Sequence, residues 1–205
     1  MHVVDGALSN EVMIAGGLLA AGGIGLGLKS LTLERIPAAG MLSATFFVAS
    51  LIHVPIGPSS VHLIMNGLVG LVLGWAAFPA LFVALVLQAV FFGFGGVMVL
   101  GVNTVAIALP AVIIGILCRR YAASADIRVA ALFGAGAGGG AIALTALFVA
   151  FSLWASGEEF LPAAQLVVLA HVPVMIIEGL ICAAAVVLVR RVNPTLFGVL
   201  EPRSA

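Results

Sequence analysis

The chain has 205 residues, of which 63% are hydrophobic and 8% are charged, and its mean hydropathy is +1.33. Because soluble domains carry about 25% charged residues, this composition excludes an ordinary water-soluble fold. Eight basic and eight acidic residues balance to zero net charge, so nothing indicates a nucleic-acid partner. We therefore expect an all-α polytopic membrane protein, built as one transmembrane domain over residues 1–205 in a lipid bilayer.

Seven apolar segments are candidate membrane spans for a hydrocarbon core of about 30 Å. They are 11–28, 37–54, 61–77, 79–93, 104–121, 128–155 and 161–189. With the N-terminus outside, all eight basic residues fall on the cytoplasmic side, as the positive-inside rule requires. The sequence thus predicts seven transmembrane helices, an outer N-terminus and a cytoplasmic C-terminus. The basic residues are Lys29, Arg35, Arg119, Arg120, Arg128, Arg190, Arg191 and Arg203.

Residues 53–62 and 93–104 are predicted to be outer loops. Irregular backbone at membrane depth is tolerated only where protein buries it or water reaches it. We therefore expect these loops to pack against each other and against the N-terminal residues. Ser59 or Ser60 is expected to cap the third helix, which would place His62 in its first turn. There the helix dipole would favour a neutral imidazole.

The polar groups at the predicted outer face limit the possible chemistry. The sequence contains no Ser/His/Asp arrangement typical of a hydrolase, no P-loop and no dinucleotide-binding fingerprint, and it places no Lys or Arg at this face to bind phosphate. Nitrogen donors remain, and these are typical ligands of transition metals. The chain is therefore predicted to handle a metal ion and not to be an enzyme.

The N-terminal segment 1–10 begins with Met1-His2, which can chelate a metal by itself. The Met1 amine and the His2 amide nitrogen close a five-membered ring, and the His2 amide and imidazole Nδ1 close a six-membered one. His62 can supply a fourth nitrogen, giving a square arrangement that suits Ni²⁺, Cu²⁺ or low-spin Co²⁺. The residues alone leave two alternatives open: His2 is incidental at its position, or His62 is a polar residue that lines the bundle.

Four stretches carry a more specific pattern: Met1-His-Val-Val-Asp-Gly6, Pro58-Ser-Ser-Val-His62, Phe92-Gly-Phe-Gly-Gly-Val-Met-Val-Leu-Gly-Val-Asn103 and Pro173-Val-Met-Ile-Ile-Glu-Gly179. Over most of its length the chain resembles the CbiM/NikM family, the substrate-binding (S) membrane components of energy-coupling factor transporters for cobalt or nickel. The resemblance implies that Co²⁺ or Ni²⁺ is bound as the transported substrate, without any catalytic cofactor. It also implies that Met1, His2 and His62 are the metal ligands.

The same resemblance implies partners and a cellular location. Members work in an ABC transporter assembly in the bacterial inner membrane. The assembly contains a coupling (T) membrane subunit, two ATPase subunits and, in some systems, a small accessory membrane subunit. The family favours cobalt, for cobalamin biosynthesis. The alternative functions are a self-sufficient secondary metal transporter and a structural membrane subunit.

The chain departs from the family pattern around the implied ligands. The segment Pro58-Ser-Ser-Val61 stands where Gly-Thr-Ser-Gly is usual, and Phe94 stands where an Asp is common. The implied ligands are intact, but their polar surroundings differ, and we expect Asn103 and His53 to compensate for the missing Asp. The residues expected to support or replace a ligand are His53, Ser59, Ser60, Asn66, Asn103 and Asp5.

Glu178 lies inside the last predicted span and is a functional candidate, because ionisable groups are costly in a bilayer. His171 lies two turns earlier on the same helix face. One interpretation places both residues on a proton or metal path. The other gives them a contact with the coupling subunit or a polar network inside the bundle. The second is favoured, because Glu178 is expected in the inner half of the membrane, away from the metal site.

Overall fold

The computed structural model describes residues 2–51, 53–56, 59–192 and 196. Its α-helices are α1 (Asn10–Ser30), α2 (Ile36–Ala49), α3 (Asn66–Leu73), α4 (Ala77–Phe92), α5 (Leu100–Ala122), α6 (Ile127–Trp154) and α7 (Leu161–Val192). Two strands, β1 (His53–Ile56) and β2 (Ser59–His62), form an antiparallel hairpin. The 3-10 turns are Leu33–Arg35, Gly74–Ala76 and Glu158–Phe160. The predicted all-α membrane fold is confirmed, and Met1, Pro58 and Arg203 lie outside the described residues.

Five helical stretches in the described part of the chain are long and apolar enough to cross a membrane. They are Asn10–Ser30, Asn66–Phe92, Leu100–Ala122, Ile127–Trp154 and Glu158–Val192. By this criterion the predicted number of seven spans is not reached. Helix α2 has 14 residues and a length of about 21 Å, short of a hydrocarbon core of about 30 Å. The third and fourth predicted spans fall together in the single stretch Asn66–Phe92.

The stretch Asn66–Phe92 is nevertheless not one straight helix. As a straight helix, its 27 residues would hold its two ends about 40 Å apart. However, His62 just before α3 and Phe94 just after α4 both lie near the His2 ring, at centroid distances of 4.7 and 6.3 Å. The chain therefore turns back between α3 and α4, where Gly74 has a φ of +56° that favours glycine. Both ends of this helical hairpin lie at the same end of the bundle.

The segment before α3 corrects the expected start of the third helix. The helix begins at Asn66 instead of residue 61, and its N-cap position is Met65, which makes no side-chain capping hydrogen bond. Ser59 and Ser60 lie in β2 and do not cap a helix. The prediction that His62 sits in the first turn of a helix is therefore wrong.

Extended backbone in this segment has a local cause. Val54 and Val61 are β-branched and pair across the two strands, and such residues favour a pleated, half-buried surface. The same register places His53 directly opposite His62. The second predicted loop is also shorter than expected, because α5 already begins at Leu100.

Helix α3 lies at the centre of the bundle, and all eight of its residues are buried. Glycines allow neighbouring backbones to approach it closely. A Cβ on Gly70 would collide with the carbonyl group of Ala111 in α5. A Cβ on Gly67 would collide with the carbonyl group of Ala137 in α6. Small residues serve this purpose widely between membrane helices.

A similar close approach fixes α7 against α6. A Cβ on Gly138 of α6 would collide with the backbone carbonyl of Glu178 in α7. Because Gly138 also borders Gly67 in the first turn of α3, Glu178 lies level with the beginning of α3. The expected position of Glu178, away from the predicted metal site, is therefore wrong.

We predict that Gly70→Ala destabilises the bundle, because the new methyl group would meet a backbone carbonyl that cannot rotate away. Overpacking of this kind costs about 1–3 kcal/mol of unfolding free energy. Thermal unfolding of the detergent-solubilised protein should therefore occur at a lower Tm. The matched control is Gly136→Ala in α6, where a Cβ would meet nothing within 4 Å. Equal Tm values for the two variants would contradict the packing described here.

Candidate metal centre

His2 and His62, 60 positions apart in sequence, meet in the structure. Their ring centroids are 4.7 Å apart, and the ring planes are inclined by 33°. Each side chain is only 3% exposed. The fold thus buries two imidazoles side by side, where the N-terminal segment meets the hairpin.

Three ring nitrogens of this pair are buried without a hydrogen-bond partner: Nδ1 and Nε2 of His2 and Nε2 of His62. The remaining nitrogen, Nδ1 of His62, lies 2.7 Å from the carbonyl oxygen of Leu63. Because a carbonyl oxygen can only accept, Nδ1 carries the proton and Nε2 carries the free lone pair. A buried polar group without a partner costs about 1–3 kcal/mol. A metal ion that binds the free lone pair of each ring would remove the part of that cost that comes from these two acceptor nitrogens.

Burial keeps both imidazoles neutral. Burial, with a smaller contribution from the nearby His53, lowers the pKa of His2 from 6.5 to about 4. Burial also lowers the pKa of His62 to about 4, although the hydrogen bond to the Leu63 carbonyl acts in the opposite direction. At neutral pH both rings are therefore uncharged, the form that binds a metal. The sequence suggested that a helix dipole would keep His62 neutral; in the structure, burial has this effect instead.

Asn103 fixes the backbone next to His2. The Val3 N–H donates to Asn103 Oδ1 at 2.9 Å, and Asn103 Nδ2 donates to the Val3 carbonyl at 3.0 Å. Asp5 ties the same segment to the loop before α5. Its N–H donates to the Gly95 carbonyl at 3.0 Å, and its Oδ1 accepts from the Val99 N–H at 3.2 Å. Both residues therefore support His2 through backbone contacts and do not point a donor atom at the imidazoles.

Phe94 closes one side of the site, a role that the sequence did not reveal. Its ring stacks near that of His2 at 6.3 Å and meets the edge of His53 at 4.3 Å. The ring of Phe92 stacks near that of Phe94, at a centroid distance of 5.5 Å. The sequence marked Phe94 only as a departure from the family pattern. An aromatic ring at the place of an Asp could have been recognised as an apolar cover.

Three other predicted site residues lie on the hairpin. His53 stands across the hairpin from His62, and its Nδ1 lies 3.4 Å from the Leu51 carbonyl. Ser59 is buried with a hydroxyl that has no partner, and Ser60 is half-buried.

Asn66 faces the centre of the bundle. Its amide nitrogen donates to the Ile107 carbonyl and to Thr145 Oγ1, both at 3.0 Å, so it links α3 to α5 and α6. The structure therefore gives Asn66 a role in helix packing.

Glu178 and His171 are both buried residues of α7, and Glu178 contacts the backbone just before α3. The Glu178 carboxylate accepts hydrogen bonds from the backbone N–H groups of Ile64 and Met65. Nδ1 of His171 lies 2.5 Å from the Val167 carbonyl, which leaves Nε2 buried without a partner. Glu178 thus contacts the segment that carries His62.

No group of three or more His, Cys, Asp or Glu side chains could hold a metal ion among residues 2–51, 53–56, 59–192 and 196. A metal bound by the paired imidazoles would need further donors from the backbone or from the amino terminus. Met1, the predicted third ligand residue, lies outside the described part of the chain.

We predict that Phe94→Ala opens the imidazole pair to solvent. Carbethoxylation of His2 and His62 by diethyl pyrocarbonate should become several-fold faster, because an aromatic cover next to His2 is removed. Mass spectrometry of the detergent-solubilised protein would give the rates. Phe91→Ala is the matched control, since Phe91 is 68% exposed and its ring contacts Phe92 instead of a histidine. Equal modification rates in the two variants would show that Phe94 is not a cover.

Comparisons with known proteins agree with this architecture. A Haemophilus influenzae protein named for metal transport is 42% identical over 199 residues, which are 95% of each chain. The fused nickel transport protein NikMN of Rhodobacter capsulatus is 36% identical over 83 residues, 40% of this chain and 24% of that protein. The crystal structure of a transition metal transporter superimposes with a TM-score of 0.78 at 26% identity, covering 94% of this chain and 93% of that one.

The model of one family covers almost the whole chain. It describes the cobalt uptake substrate-specific transmembrane region, CbiM, and it matches residues 2–196. The crystal structure of a truncated transition metal transporter, with a TM-score of 0.76 at 27% identity, covers 93% of this chain and 97% of that one. The chain therefore belongs to the CbiM family and is a multi-pass membrane component of cobalt or nickel transport.

Proposed function

We propose that this chain is the substrate-specific membrane component of an energy-coupling factor ABC transporter that imports Co²⁺ or Ni²⁺. The observation that carries the proposal is the buried pair of neutral imidazoles, His2 and His62, with three unpartnered ring nitrogens. In the proposed site the metal is held by the Met1 amine, the His2 amide nitrogen and imidazole, and Nε2 of His62.

The chemistry of these donors suits the proposed substrate. Four nitrogens in a square favour Ni²⁺ or low-spin Co²⁺, and hard cations that prefer oxygen ligands gain little from them. The amine and the amide must lose protons before they bind, so metal affinity should fall in acid. Burial at His2 and His62 excludes water, which would otherwise compete for the open coordination positions.

The proposed arrangement in the membrane follows the distribution of charge. With the metal centre at the outer face of the bacterial inner membrane, the basic residues lie at the cytoplasmic ends of the helices. In this arrangement the chain crosses the bilayer seven times, with α2 and α4 as short crossings, and the third crossing combines the extended segment before α3, α3 itself and the 3-10 turn after it. The N-terminus then lies outside and the C-terminus lies in the cytoplasm.

Import against a gradient requires an energy source, and we assign it to partner proteins. These are a coupling membrane subunit, two ATPase subunits and, where present, a small accessory membrane subunit. Cobalt, for cobalamin biosynthesis, is the favoured substrate because the matching family model describes cobalt uptake.

The contacts of Glu178 disfavour a self-sufficient secondary transporter. Such a transporter would need an ionisable group free to couple proton or cation movement. Glu178 is the acidic residue in question, and its carboxylate is engaged by the backbone N–H groups of Ile64 and Met65. Transport that continues without the ATPase subunits would nevertheless favour that alternative. A structural membrane subunit, the other alternative, would bind no metal.

We predict that the purified protein binds one Ni²⁺ or Co²⁺ per chain and that His2→Ala and His62→Ala each weaken binding by more than about 100-fold. His53→Ala and Asn103→Ala should cost about 10–100-fold, the usual effect of losing a group that supports a ligand. Competition with a chromophoric chelator would give the affinities. Asn10→Ala, an exposed change at the start of α1, serves as the control. Unchanged affinity in either ligand variant would overturn the proposed site.

We also predict that added residues before Met1 abolish metal binding, because they convert the terminal amine into an amide that is a poor ligand. The same extension placed at the C-terminus should leave binding intact. Metal content after dialysis, measured by mass spectrometry of the metal, distinguishes the two proteins. Normal binding by the N-terminally extended protein would exclude the amine as a ligand.

A further inference from the structure

Glu178 is a buried carboxylate that the proposed metal site does not itself use. Its side chain is fully buried in α7. Oε1 accepts from the Ile64 N–H at 2.5 Å and from the Met65 N–H at 2.9 Å, and Oε2 accepts from the Met65 N–H at 3.1 Å. A buried carboxyl group that makes these contacts needs an explanation beyond packing, because burying a polar group is costly.

One part of the explanation is the beginning of α3. Helix N-termini leave N–H groups without intrahelical partners, and a membrane interior offers no water to satisfy them. The N-cap residue Met65 also has φ +58°, an unfavourable conformation for a side chain with a Cβ. The Glu178 carboxylate stabilises this turn by binding two consecutive N–H groups.

The second part links Glu178 to His62 through a single peptide group. The peptide between Leu63 and Ile64 donates its N–H to Glu178 Oε1 at 2.5 Å. The carbonyl of the same peptide accepts the hydrogen bond from His62 Nδ1 at 2.7 Å. The carboxylate, the peptide and the imidazole thus form one continuous chain of hydrogen bonds.

This series of hydrogen bonds has a predictable effect on the basicity of His62 Nε2, the nitrogen that carries the free lone pair. A partner that accepts the Nδ1 proton fixes the tautomer and the orientation of the ring, and it makes Nε2 more basic. Hydrogen bonds in series polarise one another, so the Glu178 oxygen that accepts from the peptide N–H strengthens this effect. Metal-binding histidines commonly use a carboxylate directly for this purpose. Here a peptide group stands between the two.

We infer that Glu178 is a positioning residue for His62, acting through the peptide between Leu63 and Ile64. It holds the ring so that Nε2 faces His2, and it raises the donor strength of that nitrogen. This inference rests on the proposed function, because it assigns the residue that prepares one ligand of the same metal site. Of the roles considered from the sequence, it corresponds to a polar network inside the bundle, and not to a proton or metal path or to a contact with the coupling subunit.

The test is a double-mutant cycle on Ni²⁺ affinity in the purified full-length protein. Glu178→Leu should weaken binding by about 10–100-fold, and Glu178→Gln should weaken it less, because its amide oxygen can replace Oε1. In the His62→Ala background, which retains the N-terminal chelate, either substitution should change the affinity by less than about twofold. Asn103→Ala, which acts at the His2 side, should still weaken binding in that background.

A spectroscopic measurement separates positioning from general stability. Electron paramagnetic resonance of the Cu²⁺-loaded protein should indicate four nitrogen donors in the native chain and a mixture of four-nitrogen and three-nitrogen sites in Glu178→Leu. Arg35→Gln is the matched control, because Arg35 donates to the Val72 carbonyl at the opposite end of α3. It should lower the Tm and leave the four-nitrogen spectrum unchanged. If Glu178→Leu does not fold, the double-mutant cycle is measured with Glu178→Gln.

The outcomes are distinct. Native protein that binds no metal would overturn the proposed function, and the inference with it. Native protein that binds normally would leave the proposed function standing. In that case the inference is overturned if the Glu178 variants bind as tightly as the native chain, or if they weaken binding equally in the His62→Ala background.

Discussion

Water is scarce inside a membrane protein, so each buried backbone N–H and C=O group near the candidate site must find its partner within the chain. Two side chains from separate helices meet this requirement. Asn103 makes two hydrogen bonds with the backbone of Val3, and Glu178 accepts the N–H groups before α3. Irregular backbone can exist at this depth because these side chains satisfy it. It is this irregular backbone that carries the two histidines.

The unpartnered nitrogens of His2 and His62 are significant against that background. The fold satisfies backbone groups next to His2 and His62 and leaves both ring nitrogens of His2 and Nε2 of His62 without a hydrogen-bond partner. Burial keeps the rings neutral, since it lowers the pKa of each to about 4. A site that is dry, uncharged and rich in nitrogen lone pairs suits a transition metal better than an anion or a hard cation. The ring nitrogens that lack hydrogen-bond partners are therefore the same atoms that are candidate metal ligands.

The central helix α3 connects this site to the rest of the bundle. It begins four residues after His62, is buried along its whole length, and contacts α5 and α6 through glycines. Glu178 adds a contact from α7 at its first turn. A short helix enclosed on all sides cannot shift without disturbing its neighbours, because close-packed interiors deform little. The position of His62 is thus determined by three other helices as well as by its own hairpin.

The sequence by itself determined the membrane class and the helical architecture, because hydropathy and charge are properties of residue types. It also indicated His2 and His62 as candidate ligands, because donor chemistry is likewise a property of residue types. It did not determine that 53–62 forms a hairpin, that α3 is a short buried helix that turns back at Gly74, or that Phe94 covers the site. It also placed Glu178 away from the metal site, since position along a span says little about which neighbour a side chain meets. The cover formed by Phe94 and the position of Glu178 depend on contacts between residues about 100 positions apart, such as His2 with Phe94 and Ile64 with Glu178, and only the packed tertiary structure brings these residues together.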